Sequence, residues 1–528
     1  MSKAVATRAS GADLVLHNAR VLTFDDAHPH AELVAVRGDR ILAVAAACDL
    51  PLFARPGVEL LDCAGATVMP GFNDAHCHPI GLALSLLAVD CSPPAARSIA
   101  ELQARIRERA ERSAEGCWIR AAGFDDASLA EGRPPTRWEL DHAAPRHPVV
   151  LVHATGQRCV LNSAALHLAG ITASGPGSVE GGIRRDLRTG EPTGLVIGRE
   201  ERVARAIPSP DADEIARGMA RANRIYLAQG ITSLQDTSWT NGLQQWQLWQ
   251  RLVAGGAVAP RVSMMAGTES LERFGAAGLA TGSGNGSLRL GALKLALDES
   301  TGASHPPRAE VNDLALRAHH AGFQVAFHVS DARMLEVSLA AIAFVRAHCR
   351  VHPHGACDAP GFRLEHCAVC PPGLLPKVQA SRAIVVTQPA FLTGFGGRYL
   401  DAASAQQIGW FCPIGSLRQR GIDVAFGSDS PLLSSDPLAG IQAAVVRRTD
   451  TGRPLAPREA IATRDAIAMY TVAGARASLE ADQKGSIRPG KLADLVLLDR
   501  DPTQVAAEEL STVKVLRTIV GGRRVWEA

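Results

Sequence analysis

The sequence lacks a long apolar run and an excess of charge of either sign. Lysine and arginine number 55 against 53 for aspartate and glutamate, and no basic block stands out. This balance gives no reason to expect nucleic acid or an anionic membrane as a partner. No segment approaches the ~20 apolar residues of a membrane span, and the first residues lack the apolar core of a signal peptide. We therefore expect a cytoplasmic protein whose substrate need not be a polyanion.

Several catalytic motifs and a disulfide framework are also missing. The chain has no Gly-x-Ser-x-Gly, no His-Glu-x-x-His and no phosphate-binding Gly-x-x-x-x-Gly-Lys-Ser/Thr, so no other nucleophile or nucleotide site competes. The 11 cysteines follow no repeating frame, which favours reduced thiols. Cys367 and Cys370 form the one C-x-x-C pair, and without a second pair we do not expect a structural zinc there.

The two ends of the chain share a residue pattern that the middle lacks. Short apolar runs separated by turn residues, such as Leu33–Val36 and Arg40–Val44, predict a small sheet near the N-terminus. The same pattern of short apolar runs occurs in Leu495–Leu498 and Thr518–Trp526. We expect residues 1–67 and 480–528 to form one composite β-sandwich domain around a different middle, residues 68–479.

That middle predicts an α/β fold, a distorted (β/α)8 TIM barrel. Eight short apolar runs alternate with helical patterns such as Glu310–His320. The first run is Ala66–Met69, which we expect to continue as an extended strand to His76 and His78. The others are Gly230–Leu234, Arg261–Met265, Leu290–Leu295, Gln324–His328, Phe362–His366, Ala383–Thr387 and Ile422–Asp429. Chemistry in such a barrel belongs at the C-terminal ends of the strands.

One connection is much too long for a βα loop. About 150 residues separate the first two strands, against the usual 2 to 6 residues of a loop plus one helix. Residues 81–229 are therefore predicted to be an inserted subdomain, with helical material around Ser98–Ala114. Because this segment leaves the C-terminal end of a strand, we expect it to overhang the active face and to influence substrate choice.

The predicted strand ends carry residues of metal-binding type. His76 and His78 are two apart, so an extended chain aims both imidazoles to one side. His328 and His366 end two later runs, and Asp429 follows the last, where it is a candidate general base or a cap of the next helix. Imidazole and carboxylate ligands suit zinc, and a catalytic site leaves one position open for water.

Lys294 lies within the apolar run that forms the fourth predicted strand. An unpaired ammonium there is strongly penalised, so something must neutralise it. Carboxylation of the amine by carbon dioxide would convert the cation into an anionic ligand able to bridge two metals. The alternative is an ion pair with a nearby carboxylate such as Asp298 or Glu299.

Taken together, these motifs resemble the amidohydrolase superfamily, and more narrowly its YtcJ-like branch, which includes N-substituted formamide deformylases. The similarity rests on Pro70-Gly71-Phe72 before His76 and His78, on Leu364-Glu365-His366, on Gly427-Ser428-Asp429-Ser430-Pro431 and on the closing Gly490-Lys491-x-Ala493-Asp494. Leu161-Asn162-Ser163 followed by Gly170-Ile171 resembles the branch within the insertion.

The resemblance implies hydrolysis of an amide or similar C–N bond by a metal-activated water, and a homodimer. It implies that His76 and His78 hold one divalent metal, that His328 and His366 hold another, and that carboxylated Lys294 bridges them. Asp429 then contacts the metal site and exchanges the proton of the water. Zinc, one or two ions per chain, is the expected metal.

Other activities on the same scaffold stay open at this point. A mononuclear deaminase would not need Lys294, a metal-dependent decarboxylase would release carbon dioxide, and a catalytically silent protein would only bind its ligand. Thr155-Gly156-Gln157 and Val329-Ser330-Asp331 depart from the pattern of relatives. The substrate therefore does not follow from the metal-binding motifs.

Overall fold

A computed structural model describes residues 11–93, 95–156, 158–172, 182–197, 203, 206–208, 210–297, 306–349 and 361–528. The chain forms two compact units, one made of Met1–Pro79 with Asn223–Ala528 and the other of Ile80–Ala222. The domain limits predicted from the sequence stay a prediction.

The first unit contains a sheet of eight parallel strands whose spatial order is their order along the chain. The strands are Phe72–Cys77, Ile231–Asp236, Arg261–Gly267, Leu288–Leu295, Val325–Val329, Phe362–His366, Ile384–Thr387 and Val424–Phe426. Almost all of their residues are buried, as expected for parallel strands with both faces covered.

Backbone contacts beyond the last strand close the circle onto the first. Asp429 N donates to His76 O at 2.7 Å, and His78 N donates to Ser430 O at 2.8 Å. The predicted (β/α)8 barrel is therefore confirmed.

The apolar run Ala66–Met69 does not belong to the barrel, contrary to the prediction. Thr67–Pro70 instead pairs with Arg20 and Val21 on one side and with Leu495–Leu498 on the other. Gly71 then lets the chain pass close to the second barrel strand, where a Cβ would lie only 2.2 Å from Thr232 Cγ2. The stretch predicted as one strand therefore forms two, Thr67–Pro70 in a terminal sheet and Phe72–Cys77 in the barrel.

Two further sheets are built from the chain ends. The four-stranded sheet contains Arg40–Ala45, Leu33–Arg37, Leu14–His17 and Glu59–Asp62, in that order. The six-stranded sheet contains Arg523–Glu527, Val515–Val520, Leu495–Leu498, Thr67–Pro70, Arg20–Leu22 and His30–Ala31. Side chains of both sheets share one hydrophobic core that includes Leu14, Val34, Val68, Leu495 and Ile519.

Most helices of the first unit lie between or after the barrel strands. The α-helices of this part are Leu50–Phe53, Ala212–Ala228, Leu243–Ala254, Leu271–Ala276, Arg308–His320, Ala332–His348, Leu375–Ser381, Phe391–Gly394, Gly396–Ala402, Ile414–Gln419, Pro437–Val446, Thr463–Tyr470 and Val472–Ala477. Short 3-10 turns occupy Ala47–Asp49, Thr268–Ser270, Ile408–Trp410, Pro457–Glu459 and Ala507–Thr512. None of the helices in the described residues is long and apolar enough to cross a membrane.

The second unit has its own mixed sheet, which the sequence pattern did not predict. Its strands, in spatial order, are Ile183–Arg185, Pro192–Ile197, Arg158–Leu161, Val149–His153, Ile119–Phe124 and Val89–Asp90. Its helices are Pro79–Ser85, Ile99–Glu111, Arg137–Ala143 and Ser163–Leu168. The helix expected near Ser98 begins at Ile99, because the Ser98 side chain caps it by accepting from Glu101 N.

Nine of the cysteines in the described residues have free thiols, in agreement with the predicted reduced state. They include Cys367 and Cys370, both buried. Cys349 is an exception, since it is disulfide-bonded.

Candidate metal centre

Polar side chains gather where the barrel strands end. His76 precedes the last residue of the first strand, and His78 follows that strand. Lys294, His328 and His366 lie at the ends of the fourth, fifth and sixth strands, and Asp429 comes three residues after the eighth. The prediction that all six lie at strand ends agrees with this placement. Their roles in binding remain proposals.

Three imidazoles are held by their Nδ1 atoms, each by a different oxygen. His76 Nδ1 lies 2.5 Å from Glu365 Oε2, and His366 Nδ1 lies 2.8 Å from Gln388 Oε1. His78 Nδ1 lies 3.0 Å from Ser238 Oγ. Carboxylate and amide oxygens only accept, so Nδ1 of His76 and of His366 carries the proton, which leaves each Nε2 with a free lone pair. This arrangement is typical of histidines that bind a metal through Nε2.

The Nε2 atoms face a common space. Asp429 Oδ1 lies 3.1 Å from His78 Nε2 and 3.5 Å from His76 Nε2. Possible ligand atoms of His76, His366 and Asp429 all lie within 4.8 Å of one another. His366 Nε2 also faces His328 Nδ1 at 3.1 Å, so two ring nitrogens approach each other as they would around a shared cation. These borderline nitrogen and oxygen donors fit a divalent ion such as zinc.

The backbone turns two of these residues into the left-handed region. His366 has φ of 67° and Asp429 has φ of 58°. Residues other than glycine rarely adopt this conformation, and those that do are concentrated at functional sites. Both residues end or follow a barrel strand, so the unusual backbone redirects their side chains at the point where the strand stops.

Burial disfavours additional positive charge among these groups. It lowers the pKa of His76 and of His366 well below the usual range for histidine, and the neighbouring cationic groups lower both further. Neutral imidazoles are the form that binds metal.

Lys294 is almost fully buried beside the same histidines. Burial lowers the pKa of its ammonium to about 8, although the charges of Glu365 and Asp429 act in the opposite direction. The alternative partners Asp298 and Glu299 lie outside the described residues. The carboxylates that influence Lys294 in the structure are therefore groups of the candidate centre itself.

Glu365 is itself held by a buried arginine. Arg363 Nε donates to Glu365 Oε1 at 2.7 Å, and the rest of the guanidinium donates to Gln235 Oε1 and to the carbonyl oxygen of Ala75. Arg363 therefore fixes the carboxylate that accepts from His76 and places a positive charge directly against it.

Asp74 joins the first and last strands below the centre. Its carboxylate accepts from Ser428 N at 2.9 Å and from Ser428 Oγ at 2.5 Å. Burial raises the pKa of Asp74 to about 7, while the bonds from Ser428 lower it. These contacts fix the loop that carries Asp429 against the strand that carries His76.

The partners of the histidines are the residues that the sequence patterns did not identify. Glu365 is part of a quoted motif, but Ser238, Gln388 and Asp74 carry no signal in a single sequence. For Ser238 and Gln388 the hint is a polar residue close to the end of a strand, and many such residues merely form turns. Gln388, for example, directly follows the seventh strand.

A second cluster of possible metal ligands lies in the other unit. It differs from the set around His76 because an arginine side chain contacts it. Asp125, Asp126 and His153 lie close together, but Arg158 Nη2 contacts Asp126 and also lies 3.0 Å from His153 Nε2. A cation of the chain already occupies this cluster. The set around His76, with its opposed nitrogens, is therefore the better candidate for a metal.

Comparison with known proteins identifies the family of the chain. The profile of the amidohydrolase family matches residues 59–526. The chain belongs to the amidohydrolase family. It is 32% identical to the N-substituted formamide deformylase of Arthrobacter pascens, over 97% of either chain. It is 25% identical to the YtcJ protein of Bacillus subtilis (strain 168), over 90% of this chain and 92% of that protein.

The fold of this amidohydrolase also matches solved structures. A metal-dependent hydrolase from Pyrococcus horikoshii OT3 superposes with a TM-score of 0.77 at 23% identity, covering 94% of this chain and 99% of that one. The family resemblance predicted from the motifs is confirmed. As a member of this family, the amidohydrolase is an enzyme that hydrolyses carbon–nitrogen bonds.

Proposed function

We propose that this amidohydrolase cleaves neutral amides, N-substituted formamides first among them. The observation that supports a metal-dependent reaction is the orientation of three imidazoles, whose Nδ1 atoms are held by Glu365, Gln388 and Ser238. The formamide assignment is supported by the similarity along almost the whole length to a deformylase of such compounds. The enzyme works in the cytoplasm as a homodimer.

The residues fit one or two divalent ions, with zinc as the first candidate. His76 and His78 would hold one ion, and His328 and His366 the other. Asp429 lies against the first pair, with Oδ1 3.1 Å from His78 Nε2. When bound, the metal would polarise the substrate carbonyl and lower the pKa of a water to about 7.

Lys294 is proposed to become an anionic bridging ligand. Its neutral amine attacks carbon dioxide, a C–N bond forms, and the nitrogen releases one proton to give a carbamate. Conversion to an anion would remove a buried cation from beside His76 and His366 and would supply two oxygens as possible ligands. Deep burial next to His76 and His366 supports this assignment.

Asp429 is the proposed proton carrier. Its Oδ1 would accept a proton from the attacking water as the C–O bond forms, and would return it to the amine nitrogen as the C–N bond breaks. Its position opposite two imidazoles, at 3.1 and 3.5 Å, supports a role at the point of attack.

Elemental analysis with a formamide assay tests this function. We expect about two metals per chain in protein grown with zinc, and turnover of formamides such as N-butylformamide.

Lys294→Ala should lose metal, and wild-type protein given ¹³C-labelled carbon dioxide should show a carbamate carbon signal that this variant lacks. Asp429→Asn should slow turnover by a factor of 10² to 10⁴ while the protein still binds metal.

Lys484 provides the control, since it is equally buried but paired with Glu480 at 2.8 Å. Lys484→Ala should keep its metal and its carbamate signal. One metal per chain, unchanged in Lys294→Ala, would remove the bridging role and direct the substrate screen to aminopurine deamination and decarboxylation. Full turnover in Asp429→Asn would exclude it as the proton carrier.

A further inference from the structure

Gln388 has a buried amide group of which only one end is used. Its side chain is fully buried, and Oε1 lies 2.8 Å from His366 Nδ1. The other end, Nε2, is buried without a hydrogen-bond partner among the described residues. A buried donor left without a partner destabilises a protein, because the donor has lost its hydrogen bonds to water. Such a group needs an explanation, and a missing ligand is one.

The orientation of this amide follows from His366. If Nε2 of His366 binds a metal, its Nδ1 carries the proton and can only donate. Oε1 of Gln388 must then face the imidazole, and the NH2 group must point elsewhere. The orphan donor is therefore a consequence of the histidine's role, because the opposite amide orientation would place two donors against each other.

Nε2 of Gln388 lies close to the imidazole of His366, a residue of the candidate centre. The oxygen and nitrogen of an amide are about 2.2 Å apart, so Nε2 lies within about 5 Å of His366 Nδ1. Gln388 immediately follows the seventh strand, at the same end of the barrel as the histidines. The ring of Phe391 stacks on His366 with centroids 5.9 Å apart, so an aromatic surface lies beside the same imidazole.

We propose that Gln388 Nε2 donates a hydrogen bond to an oxygen of the bound ligand, the carbonyl oxygen of an amide substrate or the carboxylate oxygen of the released acid. Gln388 would thus contribute to substrate recognition from the seventh strand, which supplies none of the six candidate ligands. This inference rests on the proposed function, since it takes the centre to be the place where an amide binds.

The experiment separates donation by Nε2 from orientation of His366 by Oε1. Gln388→Glu keeps an acceptor for His366 but removes the NH2 group, whereas Gln388→Met removes both. The zinc-loaded proteins are titrated with formamide, a neutral probe whose carbonyl accepts hydrogen bonds, and their zinc content is measured. We expect both variants to bind formamide about tenfold more weakly, with zinc retained in Gln388→Glu.

Two results would overturn the proposal. Wild-type formamide affinity in Gln388→Glu, with weak binding only in Gln388→Met, would mean that Oε1 alone matters. Loss of zinc from Gln388→Glu would likewise mean that the residue acts only through His366.

Asn73 gives the matched control. It is also a buried amide whose oxygen accepts a hydrogen bond, from Gln235 Nε2, and whose nitrogen lacks a partner in the described part of the chain. It lies near the beginning of the first barrel strand, the end opposite His76. Asn73→Asp should leave formamide affinity unchanged.

Turnover of N-butylformamide is measured separately. An enzyme that binds formamide through Gln388 but cleaves no amide would refute the proposed function. The hydrogen bond from Gln388 Nε2 to the ligand would still be supported. Turnover of N-butylformamide by the wild-type enzyme, together with unchanged formamide affinity in Gln388→Glu, would support the proposed function and refute the hydrogen bond from Gln388 Nε2.

Discussion

His76 is oriented by a carboxylate, and this makes Glu365 the most informative single residue outside the proposed ligands. The Nδ1 to Oε2 distance is 2.5 Å, and both side chains are at most 1% exposed. A carboxylate partner raises the basicity of an imidazole more than a neutral one and fixes its ring. Glu365→Gln should therefore weaken metal binding by 10- to 100-fold. Competition with a chromogenic chelator measures this.

The control for Glu365 is another buried glutamate. Glu480 is 6% exposed and forms an ion pair with Lys484, away from the histidines. Glu480→Gln should lower stability but leave metal affinity unchanged. Equal metal affinity in Glu365→Gln and wild type would show that the carboxylate does not support His76.

The approach of the last barrel strand to the first depends on one glycine. A Cβ at Gly427 would lie 2.5 Å from His76 N and 2.6 Å from His76 Cβ, which are atoms of the strand itself. Gly427→Ala should therefore displace the strand that carries His76, lower the free energy of unfolding by about 1 to 3 kcal/mol and reduce metal content. Urea denaturation and elemental analysis measure both effects.

Gly275→Ala tests whether any added methyl group would act in this way. Gly275 lies in the helix Leu271–Ala276, and a Cβ there would have no neighbour within 4 Å among the described residues. Alanine is the better helix former, so this variant should be about 0.5 to 1 kcal/mol more stable. Wild-type stability in Gly427→Ala would contradict the close packing.

The barrel strands were predictable because each is a short run rich in apolar residues. The run Phe362–His366 agrees with the observed strand at both ends, and most others agree within two residues. The first strand was misplaced because Ala66–Met69 is equally apolar while serving the terminal sheet. The sequence period is the same for both sheets, and only long-range pairing with residues near 495 decides between them.

The candidate centre was predictable to a different extent. Histidines, Lys294 and Asp429 stand out because charged or ligating side chains are rare at the end of an apolar run. Gln388 and Ser238 do not stand out, since polar residues commonly follow strands. Their contacts join residues 22 and 160 positions apart, which no local pattern encodes.

At the scale of the whole first unit, one ion pair joins the barrel to the terminal sheets. Arg261 begins the third barrel strand and donates to both oxygens of Asp494, at 2.7 and 3.0 Å. Asp494 immediately precedes the terminal strand Leu495–Leu498. Removing one partner leaves the other charge buried, so Asp494→Asn should lower the free energy of unfolding by about 3 kcal/mol. The urea midpoint measured by circular dichroism reports the loss.

An exposed pair on the same terminal sheet is the comparison. Arg517 contacts Glu527 at 2.7 Å, with Glu527 55% exposed, so Glu527→Gln should leave the midpoint unchanged. Equal midpoints in Asp494→Asn and wild type would mean that the ion pair does not couple the two parts.

The contact between Asp74 and Ser428 has a consequence during synthesis. These residues are 354 positions apart, yet they fasten the first and last barrel strands together. At 5 to 20 residues per second, a ribosome needs about 20 to 70 s to pass from one to the other. Throughout that interval the strand bearing His76 has an open edge, and a chain released early cannot assemble the site. We therefore expect the candidate centre to bind metal only after the last barrel strand and Asp429 have been synthesised.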